Sequence, residues 1–197
     1  MSAGLLSFLL LLVVPLVWLA LAYNRLVSLR NALRNAFAQI DVQLKRRHDL
    51  VPGLVEVAQA YLVHERRTLE SVVAARQGAA AARASAAARW PDAHAVDRLD
   101  AAEGVLSNAV GRLLAVVEAH PDLQADRTIG RLTEELVSTE NRIAFARQVY
   151  NDAVTDYNVG VERFPDTLVA AAFAFRRARL LHATRGVAER EPVAVTA

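Results

Sequence analysis

The sequence predicts an all-α protein in which an N-terminal transmembrane helix continues into an antiparallel, coiled-coil-like bundle of four long helices. Three observations indicate this fold. Hydrophobic residues make up 54% of the 197 residues and aromatic residues only 6%, so the apolar content is mostly Ala, Leu and Val, of which Ala and Leu favour helix. No charged side chain occurs between Met1 and Asn24. Beyond that point apolar residues recur at steps of three and four, the spacing of one helix face.

Residues 1–23 are predicted to be the transmembrane anchor. Residues 3–22 are almost wholly apolar, and twenty helical residues measure about 30 Å, the hydrocarbon thickness of a bilayer. Pro15 is tolerated in a membrane helix, and Trp18 and Tyr23 suit an interface near its end. An alternative is a cleaved signal peptide, because residues 20–22 read Ala-Leu-Ala.

The flanking charges favour an uncleaved anchor. No basic residue precedes the apolar segment, whereas Arg25, Arg30 and Arg34 follow it, which is the wrong polarity for a signal peptide. By the positive-inside rule, the N-terminus is expected outside and the remaining chain in the cytoplasm. We therefore predict a single-pass protein of the cell inner (cytoplasmic) membrane.

Residues 24–180 are predicted to form the helical bundle domain. Its first helix is expected to end at the basic run Lys45, Arg46, Arg47 and His48, because cations complement the negative end of a helix dipole. Pro52 suits the first turn of a second helix. The basic run is therefore predicted to be a helix–helix corner at the membrane-distal tip.

The second helix raises a problem of length. From residue 52 to residue 89 it would measure roughly 57 Å, whereas the first helix outside the membrane would measure roughly 36 Å. We therefore expect a break near Gly78, inside an Ala-Arg stretch of low complexity.

Two further helices have clear apolar stripes. The third is predicted to end at His120-Pro121, and its stripe is Val96, Leu99, Ala102, Leu106, Val110, Leu113 and Val117. The fourth alternates steps of three and four, which predicts left-handed bundle packing. Its stripe is Ile129, Leu132, Leu136, Thr139, Ile143, Ala146, Tyr150, Val154, Tyr157, Val161 and Phe164. Residues 181–197 are expected to be a disordered tail.

Residues 167–175 are apolar but far too short to span a membrane. Up-and-down topology would return them to the bilayer surface. Phe173 and Phe175, followed by arginines, suit an interfacial contact with lipid. The alternative is that these two residues cover the base of the bundle, and the sequence leaves both open.

The sequence contains few signals of catalysis. There is no cysteine, which excludes a disulfide scaffold, a thiolate zinc site and a cysteine nucleophile. His48 and His64 are each followed by an acid, yet neither has a second histidine one helical turn away. A formal net charge of +2 and a four-residue basic run do not indicate nucleic-acid binding. We predict no enzyme activity, no cofactor and no metal.

Polar residues on the fourth helix have a structural interpretation. Glu140, Asn141 and Arg142 are read first as salt bridges and register-setting contacts between helices, ahead of a binding cleft. The set Asn151, Asp152, Asp156 and Asn158 is read as a solvated or inter-helix face.

The predicted function is that of a non-enzymatic, membrane-anchored scaffold or adaptor for an unidentified protein partner. The candidate partner-binding residues are Lys45, Arg46, Arg47, His48, Asp49, His64, Glu65, Glu140, Asn141 and Arg142. One alternative is a homo-oligomeric, self-assembling membrane protein. Another is a metal-dependent or hydrolytic protein that uses His48 and His64.

Two long segments resemble the signature regions of the LemA family. Residues 23–76 include QIDVQLKRRHDLVP, and residues 132–175 include LTEELVSTENRIAFARQVYND. The resemblance implies a bacterial inner-membrane protein with one N-terminal span and a cytoplasmic domain of long antiparallel helices. It implies no catalytic activity. Between residues 77 and 126 the likeness is limited to helical character.

Overall fold

The computed structural model describes residues 3–62 and 65–182, and this part of the chain contains six helices and no strand. The helices are α1 (Ala3–Tyr61), α2 (Arg66–Arg89), α3 (Ala93–Glu118), α4 (Pro121–Gln124), α5 (Arg127–Glu162) and α6 (Asp166–Ala172). Helices α1, α2, α3 and α5 form the bundle, with α4 as a short connection. The predicted all-α class, with an N-terminal apolar helix that continues into the bundle, is confirmed.

The first third of α1 is an apolar rod with little cover. Its large side chains between Phe8 and Leu21 are mostly exposed, as in Leu11 with 75% of its surface accessible. Within the described residues, α1 alone is long and apolar enough to cross a membrane. A helix that is apolar all round is stable only in lipid or in a protein core.

The predicted corner at the basic run is wrong. Helix α1 continues through Pro52 to Tyr61, and α2 begins at Arg66. The reason is that the buried stripe does not stop at the basic residues. It comprises Ile40, Leu44, Arg47, Val51, Leu54 and Ala58. These steps of three and four keep one face of α1 in the core over its whole length within the bundle.

Pro52 is accommodated inside α1 by a contact from α2. Proline has no N–H to donate to the carbonyl four residues earlier, which here belongs to His48. Arg76 Nε donates to that carbonyl at 2.8 Å. The freed acceptor is therefore paired, and the two helices are joined at this level.

We expect Arg76→Leu to lower the free energy of unfolding by about 1.5–3 kcal/mol, because it removes a charge-assisted bond to a part-buried carbonyl. In a Pro52→Ala background the same change should cost much less, since the introduced alanine supplies the missing N–H. Urea unfolding of the four chains of this double-mutant cycle in detergent measures the difference. Equal costs in both backgrounds would contradict the role given to Arg76.

The predicted break at Gly78 is also wrong, because α2 is continuous from Arg66 to Arg89. The length problem disappears because α2 begins only at Arg66, and its 24 residues measure roughly 36 Å. Farther along α2, Arg83 Nη1 lies 2.8 and 2.9 Å from the two carboxylate oxygens of Asp41 on α1.

Helices α1 and α5 run antiparallel over most of the bundle. Arg47 meets Glu140, Tyr61 donates to Asp126, and a Cβ added at Gly160 would lie 2.6 Å from Leu29 Cδ1. The predicted stripe on α5 is largely buried, but Phe164 at its end is 76% exposed. On α3, the buried position falls at Glu103 rather than at Ala102.

Helix α5 begins with a well-formed N-terminal cap at Asp126. Asp126 Oδ1 accepts the N–H groups of Thr128 at 2.7 Å and Ile129 at 3.2 Å. These bonds, with that from Tyr61, hold the pKa of Asp126 below its usual value. The last turn of α1 is thereby tied to the first turn of α5.

Candidate functional site

A cluster of charged side chains lies inside the bundle, where α1, α3 and α5 meet. We call Arg47, His48, Glu103, Ser107 and Glu140 the charge cluster. The Arg47 guanidinium pairs with the Glu103 carboxylate, and its Nη1 donates to Glu140 Oε1 and to Ser107 Oγ at 2.9 Å each. His48 Nε2 lies 2.9 Å from Glu103 Oε1. One carboxylate thus serves two neighbouring residues of α1.

Burial makes these contacts strong and their loss costly. Arg47 is 2% exposed, His48 3% and Glu103 7%. Burial alone would lower the pKa of Arg47, but the carboxylates of Glu140 and Glu103 outweigh it and raise that pKa above its usual value. The guanidinium therefore stays charged in the core, where its partners must be present to stabilise it.

The predicted partner surface at the basic run is corrected accordingly. Arg47 and His48 face the core, so they cannot contact a partner on the surface. Lys45, Arg46 and Asp49 are exposed, because neighbouring residues on a helix point about 100° apart. The run is therefore divided between the inside and the outside of α1.

The remaining predicted residues lie in three different places. Glu65 stands at the turn before α2, where its carboxylate accepts from Thr68 Oγ1 at 3.0 Å. Glu140 joins the charge cluster, and Asn141 and Arg142 are exposed on α5. His64 lies outside the described residues. The structure therefore does not bring the ten predicted residues together.

The geometry of the charge cluster does not suit a metal site. Among the described residues, no group of three or more His, Asp or Glu side chains could hold a metal ion. His48 has a carboxylate partner inside the core rather than an open coordination position. The arrangement supports a structural role, in which one arginine holds three helices in register.

The chain after α6 runs back along α5 in an extended form and is held there by two asparagines. Asn158 donates to the carbonyl of Ala178 at 3.0 Å and accepts its N–H at 2.8 Å. Asn151 donates to the carbonyl of Leu181 at 2.9 Å and accepts its N–H at 3.0 Å. We call Asn151 and Asn158 the asparagine clamp, and residues 176–182 the return segment.

The spacing of the clamp matches that of an extended chain. The asparagines are seven residues apart on α5, which is roughly 10.5 Å, and Ala178 and Leu181 are three residues apart, roughly 10 Å in extended backbone. Between them, Tyr150 donates its hydroxyl to the carbonyl of Arg179 at 2.9 Å. Burial raises the pKa of Tyr150, so this donor keeps its proton.

The return segment covers a pocket beside the charge cluster. The pocket is small, with a cavity volume of about 60 Å³, and it is partly open to solvent. Leu181 and His182 line one side of it, and Arg47, Glu103 and Glu140 line another. Ordered contacts thus extend to His182, which pairs with Asp100 at 3.1 Å. The rest of the predicted disordered tail, residues 183–197, lies outside the described residues.

A second concave surface lies on the outer side of the bundle, between α1 and α5. We call it the outer groove, and it is lined by Gln39, Val42, Gln43, Ser138, Asn141, Arg142, Phe145 and Ala146. Val42 is 62% exposed and Phe145 68% exposed. Large apolar side chains on the surface of a groove are typical of an interaction site.

Positive charge borders this apolar surface. Arg142 lines the groove, and Arg46 lies one helical turn beyond Val42 on the same face of α1. Lys45 is exposed beside them. The groove is therefore suited to an amphipathic helix that carries acidic residues next to its apolar side.

Sequence reasoning missed Glu103 and the asparagine clamp. Glu103 stands four residues after Leu99 and three before Leu106, so a carboxylate within the α3 stripe was the available signal. Asn151 and Asn158 are identical residues seven apart, on one face of α5. Neither pattern identifies the residue that is contacted, because that residue comes from a distant part of the chain.

Comparison with known proteins identifies the family of the chain. Residues 36–196 match the model of the LemA family. The magnetosome protein MamQ of Magnetospirillum gryphiswaldense is 27% identical over an alignment of 186 residues that covers 87% of this chain and 68% of that protein. Magnetosome proteins MamQ 1 and MamQ 2 of Paramagnetospirillum magneticum are each 40% identical over 77 residues, 39% of this chain and 28% of each relative.

Proposed function

The chain belongs to the LemA family, and we propose that it is a non-enzymatic, membrane-tethered scaffold that presents its outer groove to an amphipathic helix of a protein partner. The family match, the MamQ relatives and the apolar N-terminal part of α1 support a membrane-associated helical protein of the LemA type. The scaffold role and its partner are the proposal.

The orientation belongs to the same proposal. We propose a single span in the inner membrane, with the N-terminus outside and the bundle in the cytoplasm. The arginines that directly follow the apolar segment support this topology, because positive residues favour the cytoplasmic side. Alkaline phosphatase fused to the C-terminus would then be inactive, and strong activity would contradict the topology.

The observation that carries the scaffold proposal is the exposed pair Val42 and Phe145, with Arg46 and Arg142 each about one helical turn away toward the same end of the groove. An apolar surface with cations at its border is complementary to an amphipathic helix whose apolar side is flanked by acidic residues. The self-assembly alternative uses the same surface, with a second copy of the chain as occupant. The product of cross-linking distinguishes them.

The test is photo-cross-linking of the full chain in native membranes. A photoreactive phenylalanine derivative at Val42 or Phe145 is expected to give one discrete adduct, whereas the same group at Val105, 59% exposed on α3, gives none. The double variant R46E/R142E should reduce the adduct, and R112E, on the exposed face of α3, should not.

Each outcome has a defined meaning. An adduct with another protein that is lost in R46E/R142E supports the scaffold. An adduct of twice the chain mass assigns the groove to a second copy and replaces the scaffold proposal by self-assembly. Adducts that are equally strong from Val105, or absent from both groove positions, contradict a role for the groove.

A further inference from the structure

The base of the bundle carries large apolar side chains that do not face the core. Between α5 and the return segment, Phe164 is 76% exposed, Leu168 61% and Phe173 52%. We call residues 163–175 the foot. Three of its other apolar residues, Val169, Ala170 and Phe175, are buried. The foot therefore has one side that packs on the bundle and another that is apolar without protein cover.

The depth of the foot is set by its contacts with α1. The ring of Phe173 lies 4.9 Å from that of Tyr23, and the ring of Phe175 lies 5.9 Å from it. Ala22 is 4% exposed in the same core cluster as Val169, and Trp18 packs against that cluster. The foot thus contacts the last turns of the apolar segment.

The charge pattern of α1 puts the same level at the membrane boundary. Residues 3–24 contain no charged side chain, and Arg25 is the first. Hydrocarbon can therefore extend along α1 to about Tyr23, where aromatic rings favour the interface. Because Phe173 and Phe175 of the foot pack on Tyr23, the uncovered aromatic residues of the foot lie where lipid begins.

Cations surround the foot in the manner of an interfacial anchor. Arg163 and Arg176 are exposed at its two ends. Arg25 is half exposed, and its Nη1 lies 3.4 Å from Oδ2 of Asp166, the first residue of α6. Arginines beside aromatic and leucine side chains are typical of segments that lie in the headgroup region of anionic membranes.

The two phenylalanines that the sequence left ambiguous have separate roles. Phe175 is 8% exposed, and the guanidinium of Arg30 lies 5.3 Å from its ring centre, so Phe175 covers the base of the bundle. Phe173, two residues earlier, is half exposed beside Tyr23. Of these two phenylalanines only Phe173 is available to lipid, together with Phe164 and Leu168.

We propose that the foot is a second membrane contact, which inserts Phe164, Leu168 and Phe173 into the interface of an anionic phospholipid bilayer. This inference rests on the proposed span of α1. Interfacial insertion reaches about 5–10 Å into the boundary between headgroups and acyl chains. A second contact beside the span would fix the tilt of the bundle relative to the membrane, whereas a single spanning helix leaves that tilt free.

The test uses nitroxide labels on single cysteines, which is direct because the chain has no cysteine. The full chain carries one label at Phe164→Cys, Leu168→Cys or Phe173→Cys, in vesicles that contain phosphatidylglycerol. Power saturation compares collisions with lipid-soluble oxygen and with a water-soluble nickel chelate. Phe145→Cys is the matched control, since Phe145 is 68% exposed and lies 19 residues from Phe164, roughly 28 Å away along a helix.

Foot labels are expected to show an oxygen-to-nickel ratio several times that of the Phe145 label. A label at Leu12→Cys reports the span itself. A high ratio at Leu12 with foot ratios equal to that at Phe145 overturns the foot and leaves the span in place. A low ratio at Leu12 overturns both.

Discussion

Glu103→Ala is expected to lower the free energy of unfolding by about 3 kcal/mol or more, because it leaves a buried guanidinium without its buried carboxylate partner. Arg47 is 2% exposed and cannot turn to water. His48 loses its carboxylate partner in the same change. The value lies at the low end of the range of about 3–5 kcal/mol for a broken buried pair, since Glu140 still contacts Arg47. Urea unfolding of the full chain in detergent measures it.

Two further variants test whether the stability cost of Glu103→Ala comes from leaving a buried charge unpaired. Glu140→Ala should cost only about 1 kcal/mol, because the Glu140 side chain is 42% exposed and water replaces part of its contact. The double variant R47M/E103L should recover most of the stability lost in Glu103→Ala, since apolar residues of similar volume often replace a buried ion pair at little cost. If Glu140→Ala cost more than Glu103→Ala, the greater weight given to the buried carboxylate of Glu103 would be wrong.

The charge cluster and the outer groove occupy the same turns of the bundle. Arg46 borders the groove while Arg47 faces the core, and Asn141 lines the groove while Glu140 contacts Arg47. The buried ion pairs thus fix the positions of the residues that face outward. We infer that loss of Glu103 loosens the groove as well as the core.

The sequence predicted the helices well wherever apolar spacing continued without interruption. Helix α5 and the end of α3 follow directly from steps of three and four. The predicted helix–helix corner was misplaced because Arg47 occupies a core position. In a sequence, a charged residue within an apolar stripe resembles the end of the stripe. Only the distant Glu103 makes that position favourable.

The return segment was beyond sequence reasoning for a different reason. Its backbone groups pair with side chains of α5, so it lacks the periodic pattern of a strand or a helix. Asn151 and Asn158 resemble any polar residues on a helix surface until the extended chain is placed beside them. Composition suggested disorder for Leu181, although its side chain is only 6% exposed.

Asn151→Ala and Asn158→Ala are each expected to release the return segment without unfolding the bundle. Each change removes two hydrogen bonds to one backbone residue, and a net value of about 1 kcal/mol per bond predicts at least about tenfold faster amide exchange in residues 176–182. The double variant should exchange faster still. Hydrogen–deuterium exchange with mass spectrometry measures this directly, and α2 and α3 serve as internal references.

Asp152→Ala and Asp156→Ala are the matched controls, because both residues are exposed on the same helix and lie within two residues of the clamp. Neither should change exchange of the return segment. If they accelerate it as much as the asparagine variants, the segment is held by general stability of α5 and not by the clamp. If none of the four changes has an effect, burial of Leu181 suffices. Selective release assigns the return segment to Asn151 and Asn158, and it uncovers the pocket beside Arg47.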